Sequence, residues 1–262
     1  MLNTLIQWDC LEALKTFEDN CIDITVTSPP YDNLRTYNWF SWDFEWIARE
    51  LYRVTKDWGV VVWVVGDQTI KWSESWTSFK QALYFKEIGF NLHDTMIYSK
   101  SVPPMNDRRY QHCFEYMFVL SKGIPKTFNP IMEEKKYKDT RKVKNFHRYA
   151  NATYAEGFSK PETNLKIKES IWRIFAAGGS SDKIASKHPA IFPEKLAEDH
   201  ILSWSNEWDI VLDPFAGSGT TLKMAKKNNR NYIGIEISEE YCDIIESRLS
   251  PLKTFIEKSD TL

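Results

Sequence analysis

Residues 209–221, reading Asp-Ile-Val-Leu-Asp-Pro-Phe-Ala-Gly-Ser-Gly-Thr-Thr, limit the possible folds more than any other stretch. A short apolar run ends in an acid and a proline, two glycines follow, and a helical pattern starts at once. Gly217 and Gly219 carry no Cβ, so the backbone there can turn tightly and come close to a ligand. A strand that passes through such a turn straight into a helix is half of a strand–helix–strand unit, and the chain repeats the alternation. Ile22–Thr27, Val60–Val65, His93–Tyr98, Tyr116–Leu120, Ile210–Leu212 and Asn231–Glu236 read as strands, several apolar on both faces. Phe44–Val54, Thr77–Ile88, Glu194–Ser203, Thr220–Lys227 and Glu239–Arg248 carry apolar residues at helical spacing. Strands separated by such helices predict an α/β domain whose mostly parallel sheet is covered on both faces.

At 262 residues the chain is long enough for one large core, and a single domain over 1–262 with an insertion at 121–170 fits best. The inserted stretch is rich in Lys, Arg, Asn, Tyr and Phe and has few apolar alternations. The net charge of −2 hides a segregation. From Lys126 to Lys168 there are eleven Lys/Arg against five Asp/Glu, about +6, which leaves about −8 elsewhere. A nucleic-acid partner would therefore meet a local basic patch, although such charge runs are more often solvated surface. Cys10, Cys21, Cys113 and Cys242 form no C-x-x-C pair, so neither a zinc site nor a disulfide framework is expected, and the setting reads as reducing and cytoplasmic. With no basic-then-apolar leader and no apolar run of about 20 residues, a soluble, uncleaved chain is expected, with no membrane partner.

The glycine turn points to an adenosyl cofactor. A dinucleotide site wants G-x-G-x-x-G, whereas Gly217-Ser-Gly219-Thr-Thr-Leu lacks the third glycine, which disfavours a pyrophosphate. Tyr232-Ile-Gly-Ile-Glu236 is a second strand ending in an acid about twenty residues further on, where a carboxylate can accept both ribose hydroxyls. A plain dinucleotide site and a merely tight turn are the competing readings.

A second unusual turn lies near the N-terminus, at Asp23-Ile-Thr-Val-Thr27-Ser28-Pro29-Pro30-Tyr31. Two prolines fix φ and remove two N–H groups, leaving nearby carbonyls as rigid acceptors beside an aromatic ring. Acceptors that hold the hydrogens of a ring-conjugated amino group bias its nitrogen toward the pyramidal geometry that attacks a methyl sulfonium. Ser28 Oγ and the Pro29 carbonyl are the candidates, with Tyr31 stacking on an extruded base. No covalent intermediate is required, in keeping with the absence of cysteine from this turn.

Together these residues resemble the N4-cytosine/N6-adenine DNA methyltransferases of the permuted β group. In that family a (D/N/S)-P-P-(Y/F) motif comes first, a target-recognition segment next and an F-x-G-x-G motif last. Here the order is Ser28–Tyr31, the basic insert, then Phe215–Gly219. The resemblance implies a class I methyltransferase fold, a mixed seven-stranded sheet with helices on both faces. It also implies S-adenosylmethionine as cofactor, DNA as partner and no metal, with a homodimer and a cognate restriction endonuclease as possible partners.

By the same resemblance the cofactor is held by Asp9, Cys10, His188, Asp213, Pro214, Phe215, Ala216, Gly217, Ser218, Gly219, Thr220, Thr221, Glu236 and Ile237. Asp9-Cys10 matches a segment whose acid reaches the cofactor's adenine, although Trp8 stands where glycine is usual. His188-Pro189 matches a stretch that closes over the methionine end. Phe192-Pro193 replaces the usual Lys-Pro there, so Thr220, Thr221 or Lys195 would have to serve the cofactor's carboxylate. Gly59 and Gly66-Asp67 match central motifs of the sheet and pocket wall, and His112 and Glu115 match a segment lining the target pocket. A core histidine and a surface carboxylate are equally good readings of those last two.

The insert's Lys135, Lys136, Lys138, Arg141, Lys142, Lys144 and Arg148, interleaved with Tyr137, Phe146, His147 and Tyr149, make it the expected target-recognition segment. Arg35, Arg108, Arg109 and Tyr110 are expected to grip the DNA backbone around the target. Trp39, Trp42, Trp46, Trp72 and Trp76 are read as core, without a site role. Serine at the first motif position favours N4 of cytosine over N6 of adenine as the methyl acceptor. A methyltransferase acting on RNA, protein or a small amine usually has the proline turn after the glycine turn, and the order here argues against it.

Overall fold

A computed structural model of the protein describes residues 2–30, 43–100, 108–135, 164–174 and 192–250, with the backbone alone at 146–148 and 154–156. It divides into two compact units, Met1–Asn129 with Ser170–Leu262, and Pro130–Glu169. The first unit opens with β1 (Thr4–Gln7), α1 (Cys10–Lys15), β2 (Ile22–Thr27), α2 (Phe44–Val54) and β3 (Thr55–Val65). A small hairpin, β4 (Thr69–Ile70) with β5 (Ser73–Glu74), leads to α3 (Thr77–Glu87), β6 (Asn91–Ser99) and β7 (Phe114–Ser121). The second unit holds β8 (Met132–Glu134), β9 (Phe146–Arg148), β10 (Tyr154–Glu156) and β11 (Leu165–Ile167). The first resumes with β12 (Ile171–Arg173), α4 (Glu194–Trp204), β13 (Ile210–Asp213), α5 (Thr220–Lys227), β14 (Asn231–Glu236) and α6 (Glu239–Leu249).

One eight-stranded sheet, ordered β1-β14-β13-β2-β3-β7-β6-β12, organises the first unit. Its pairs are parallel except those that β7 makes with β3 and β6. Seven strands were expected, and the eighth is β12, three residues added at the edge beside β6. β1 and α1 also form although the periodicity did not mark them, since Thr4–Gln7 gains its strand geometry by pairing with β14. A strand this short is held by its neighbour rather than by its own pattern.

Alternation along the strands sends side chains to two cores. Val61, Trp63, Val65, Phe118, Leu120, Leu212, Ile233 and Ile235 pack with Ala13, Leu14, Ile47, Leu51 and Phe85 of α1, α2 and α3. The buried Trp63 donates its ring N–H to Gln81 Oε1 at 2.9 Å, so the largest side chain of this core leaves no polar atom stranded. α2 shows how its sequence selects its face. Asp43 caps it by accepting from Trp46 N at 3.2 Å, and Ile47, Ala48, Leu51 and Val54 form its buried stripe. Trp46 lies off that stripe and is 43% exposed, and Trp72 and Trp76 are 67% and 61% exposed. The core assignment of these three is therefore corrected: Trp46 falls on the wrong side of the helix, and the other two sit on and just after a hairpin. Trp39 and Trp42 lie outside the described residues.

On the opposite face α4, α5 and α6 cover the sheet through Leu196, Ile201, Leu222, Met224 and Ile245. Gly234 in β14 lets α5 approach, because a Cβ there would fall 2.3 Å from Leu222 Cδ2. Leu222 is fully buried, so its methyl groups can give way only by displacing core neighbours. Gly234→Ala is thus expected to cost about 1–3 kcal/mol by overpacking, read from chemical denaturation. An unchanged midpoint would show that α5 stands off from the sheet.

Among the described residues the second unit forms two antiparallel strand pairs, β8 with β11 and β9 with β10. Lys166 of β11 sits between Glu133 at 3.0 Å and Glu169 at 2.6 Å, so this cation is already neutralised locally. The unit falls within the basic 121–170 stretch, whose first residue is the last of β7.

Candidate active site

β14, β13 and β2 end side by side at one edge of the sheet, at Glu236, Asp213 and Thr27. From β13 the chain passes to α5 on one face, whereas β2 leads to α2 on the other. A crevice opens at the carboxyl ends of parallel strands where their connections part in this way. The glycine turn and the Ser28-Pro29-Pro30 turn, far apart in sequence, are neighbours because β13 pairs directly with β2.

The turn after β13 is tightly determined. Gly217 and Gly219 adopt φ of 53° and 75°, in the left-handed region that glycine enters without penalty. Ala216 N donates to Ile235 O at 2.9 Å, and Gly219 N donates to Ala216 O at 2.7 Å. Gly217 N donates to Glu236 Oε2 at 2.8 Å, while Ser238 N donates to Oε1 at 2.9 Å. Burial pushes the Glu236 carboxyl above its usual range, and those backbone donors act against that shift. Ile237 N–H faces the carboxylate as well, and three backbone donors leave an acceptor position for a ribose hydroxyl, so the residues fit an adenosyl cofactor.

Asp213 is buried and accepts from Thr27 Oγ1 at 2.7 Å and from Phe215 N at 3.1 Å. Burial pushes its carboxyl up to about 6, with the Thr27 hydroxyl, the Phe215 N–H and the Thr221 hydroxyl pulling the other way. Between about pH 4 and 6 the folded chain therefore holds a proton that the unfolded chain has released. This contribution to stability is full below about pH 4 and is lost as the pH rises through about 6. Asp213→Asn does not titrate, so its stability relative to the parent should rise by about 3 kcal/mol from pH 4 to 7. Denaturation series at several pH values measure this, and a constant difference would contradict the raised value.

Asp9 caps α1, its Oδ1 accepting from Leu11 N at 3.0 Å and Glu12 N at 3.2 Å. Trp8 N donates to Glu236 O at 3.1 Å, which joins the end of β1 to the end of β14. Burial and the nearby Asp9 push the Cys10 thiol up to about 12, and burial and Glu236 push Cys242 up to about 11. Both thiols stay protonated, and all four cysteines are free. Ile237 directly follows Glu236 at this edge.

Two residues that the sequence did not single out hold this region. Arg248 of α6 has a side chain only 1% exposed and pairs with Glu194 at 3.0 Å. It donates to the Ser218 carbonyl, to Ser218 Oγ at 3.3 Å and to Thr220 Oγ1 at 3.1 Å. Thr27 is the second. Neither has a local signal, since Arg248 completes an ordinary helical pattern and Thr27 looks like one more β-branched strand residue. The hydroxyls named for the cofactor's carboxylate are already engaged: Thr221 donates to Val26 O at 3.1 Å, and Thr220 accepts from Arg248. Lys195 pairs with Asp199.

Ser28, Pro29 and Pro30 follow β2, with Pro29 buried. Glu115 is buried and paired with Lys100, so it is no surface carboxylate. Burial, reinforced by Glu115, pushes the phenol of Tyr98 up to about 12. His112 is half-buried and packs on Phe114 with ring centroids 4.5 Å apart. Arg109 is committed to the hairpin, donating to Thr69 Oγ1 at 2.9 Å and Trp72 O at 2.8 Å, while Arg108 lies over the Trp72 ring at 5.8 Å. Tyr110 is fully exposed. Tyr31, Arg35, Lys136, Arg141, Lys142, Lys144 and His188 lie outside the described residues, as does the side chain of Arg148.

A sheet with one reversed strand, a glycine turn braced by an acid from the next strand and a crevice beside it define a class I S-adenosylmethionine-dependent methyltransferase. The family model for DNA methylases of the N6/N4 type matches residues 22–247, and the chain belongs to that family. The orphan methyltransferase M.BamHII of Bacillus amyloliquefaciens is 58% identical over 240 residues, covering 88% of this chain and 89% of the relative. The type II methyltransferase M.HpaI of Haemophilus parainfluenzae is 32% identical over 258 residues, 94% of this chain and 73% of its own. In fold, the PvuII DNA methyltransferase (cytosine-N4-specific) matches with a TM-score of 0.70 at 20% identity, over 95% of this chain and 87% of that one. The M1.HpyAVI-SAM complex matches with a TM-score of 0.61 at 25% identity, over 95% and 99%. The protein is thus a DNA methyltransferase that moves a methyl group from S-adenosylmethionine to an exocyclic amino group, on N4 of cytosine or N6 of adenine. No described helix is long and apolar enough to cross a membrane.

Proposed function

We propose that the methyl acceptor is N4 of cytosine, held by the Ser28-Pro29-Pro30-Tyr31 turn. The observation that carries this reading is the pairing of β13 with β2, since it sets that turn beside the glycine turn. Ser28 Oγ and the Pro29 carbonyl accept the amino hydrogens, and Tyr31 stacks on the flipped ring. The cofactor supplies the methyl group as a sulfonium. Asp9, Cys10, His188, the 213–221 turn, Glu236 and Ile237 bind and orient it, and catalysis rests mainly on that orientation. Serine is a weaker acceptor than a carboxylate, and cytosine is the base that the family pattern associates with it.

The whole chain acts as one catalytic domain, with 121–170 as its target-recognition segment. The basic side chains there and Arg35 meet phosphates, and Arg108 does so from its place over Trp72. Arg109, engaged by the hairpin, supports that surface. The protein works in the cytoplasm, as one of two copies, alone or beside a restriction endonuclease. Exposed Trp76, Phe79 and Leu83, at the start of α3 and along it, offer the apolar area that a second copy would cover. Sedimentation of Leu83→Glu beside the parent tests the pairing, because equal masses would remove this surface from it.

The target base is decided by incubating the enzyme with methyl-labelled cofactor and DNA, then digesting to nucleosides. Label in N4-methyl-2′-deoxycytidine supports the proposal. Label only in N6-methyl-2′-deoxyadenosine would overturn it in favour of adenine.

A further inference from the structure

Backbone pairing between β2 and β13 reaches Val211 with Ile24 and Leu212 with Thr25. Beyond it the two strands lead into separate turns, and side chains take over the connection. Thr27, fully buried, donates its hydroxyl to Asp213 Oδ1 at 2.7 Å. Thr221, at the first turn of α5 and 1% exposed, donates in the opposite sense to Val26 O at 3.1 Å. One bond runs from the acceptor strand to the cofactor strand and one runs back, across sequence separations of 186 and 195 residues. Both lie one or two residues before Ser28 or at the glycine turn, and they are the first lateral ties behind the crevice among the described residues.

We propose that Thr27, seconded by Thr221, is a positioning residue that sets the spacing between the cofactor turn and the turn that holds the target amino group. The inference rests on the reading of Ser28–Tyr31 as the acceptor turn. Methyl transfer is sensitive to such spacing, because reacting atoms must stand about 3–3.5 Å apart and a 1 Å error can cost roughly a hundredfold. Valine matches threonine in shape but lacks the hydroxyl, so Thr27→Val keeps the packing, removes the tie and leaves the buried Asp213 carboxylate short of a donor. Asp213 is buried behind the turn, so the contacts proposed for Gly217, Gly219 and Glu236 keep their geometry. The loss should therefore fall on the chemical step rather than on cofactor binding.

The experiment compares the parent, Thr27→Val, Thr27→Ser, Thr221→Val and Ser28→Ala on a duplex carrying the target. Single-turnover methyl transfer is measured at saturating cofactor, and cofactor affinity is measured separately by calorimetry. Thr27→Val is expected to slow transfer about tenfold or more while its cofactor Kd stays within about threefold, and Thr27→Ser to recover to within about threefold of the parent. If Thr27→Val does not fold, Thr27→Ala takes its place with the same expectation; Thr221→Val, in the turn that binds the cofactor, is expected to slow transfer at saturating cofactor whatever its Kd. Unchanged transfer, a rate loss matched by an equal loss of cofactor affinity, or a serine variant as slow as the valine one would each overturn the proposal. Ser28→Ala separates the two levels. If it transfers at the parental rate, the acceptor-turn reading fails; if it is slow while Thr27→Val is not, only the role of Thr27 fails.

Discussion

Gly219→Val should weaken the binding of S-adenosylmethionine about a hundredfold or more. Gly219 has φ of 75°, where an L side chain costs about 1–2 kcal/mol and a β-branched one more. Space is also lacking, since its Cβ would stand 2.9 Å from both Ile245 Cγ1 and Cγ2. Ile245 is fully buried in α6, so the collision adds about 1–3 kcal/mol of overpacking. Relief requires the turn to open. That movement pulls on the Gly219 N to Ala216 O bond and, through the turn, on the link from Gly217 N to Glu236. If most of the strain is expressed in binding, the affinity falls about a hundredfold or more. Titration calorimetry reads the affinity, and a thermal melt separates it from unfolding. A Kd within about threefold of the parent would mean that this turn does not bind the cofactor.

Arg248→Met is expected to have the second largest effect, about 3 kcal/mol of lost stability together with weakened cofactor binding. The guanidinium is enclosed and donates to Ser218 and Thr220 with one arm and to Glu194 with the other. Removing it strands the Ser218 carbonyl and loosens the turn from behind. The Glu194 side chain is 39% exposed and also pairs with Lys223 at 2.8 Å, so its loss of a partner is partly compensated and the upper end of the usual range is not reached. Lysine should not rescue, because a single ammonium cannot span the positions that a planar fork reaches. Denaturant titration of both variants measures this. A methionine variant within about 0.5 kcal/mol of the parent would show the clamp to be dispensable.

Much of the fold was legible because its elements are long and regular. The buried stripe of α2 and the doubly apolar run of β3 announce themselves in any window of their length. The exposed tryptophans were misjudged because ring size suggests burial, whereas exposure depends on which side of a helix or hairpin the residue occupies. Glu115 shows the reverse error being avoided only in space: its partner Lys100 directly follows the neighbouring strand β6, which no spacing along the chain reveals.

The order of motifs, the left-handed glycines, the prolines after β2 and the acid closing β14 follow from residue type and short-range spacing, and the sequence alone determined them. Tertiary structure decided that β13 lies against β2, that Thr27 reaches Asp213, and that Arg248 braces Ser218 from thirty residues away. Propensities and turn preferences act over a few neighbouring residues. Strand order, by contrast, is chosen by burial across the whole sheet, and only that choice brings the distant hydroxyl, carboxylate and guanidinium within hydrogen-bonding reach.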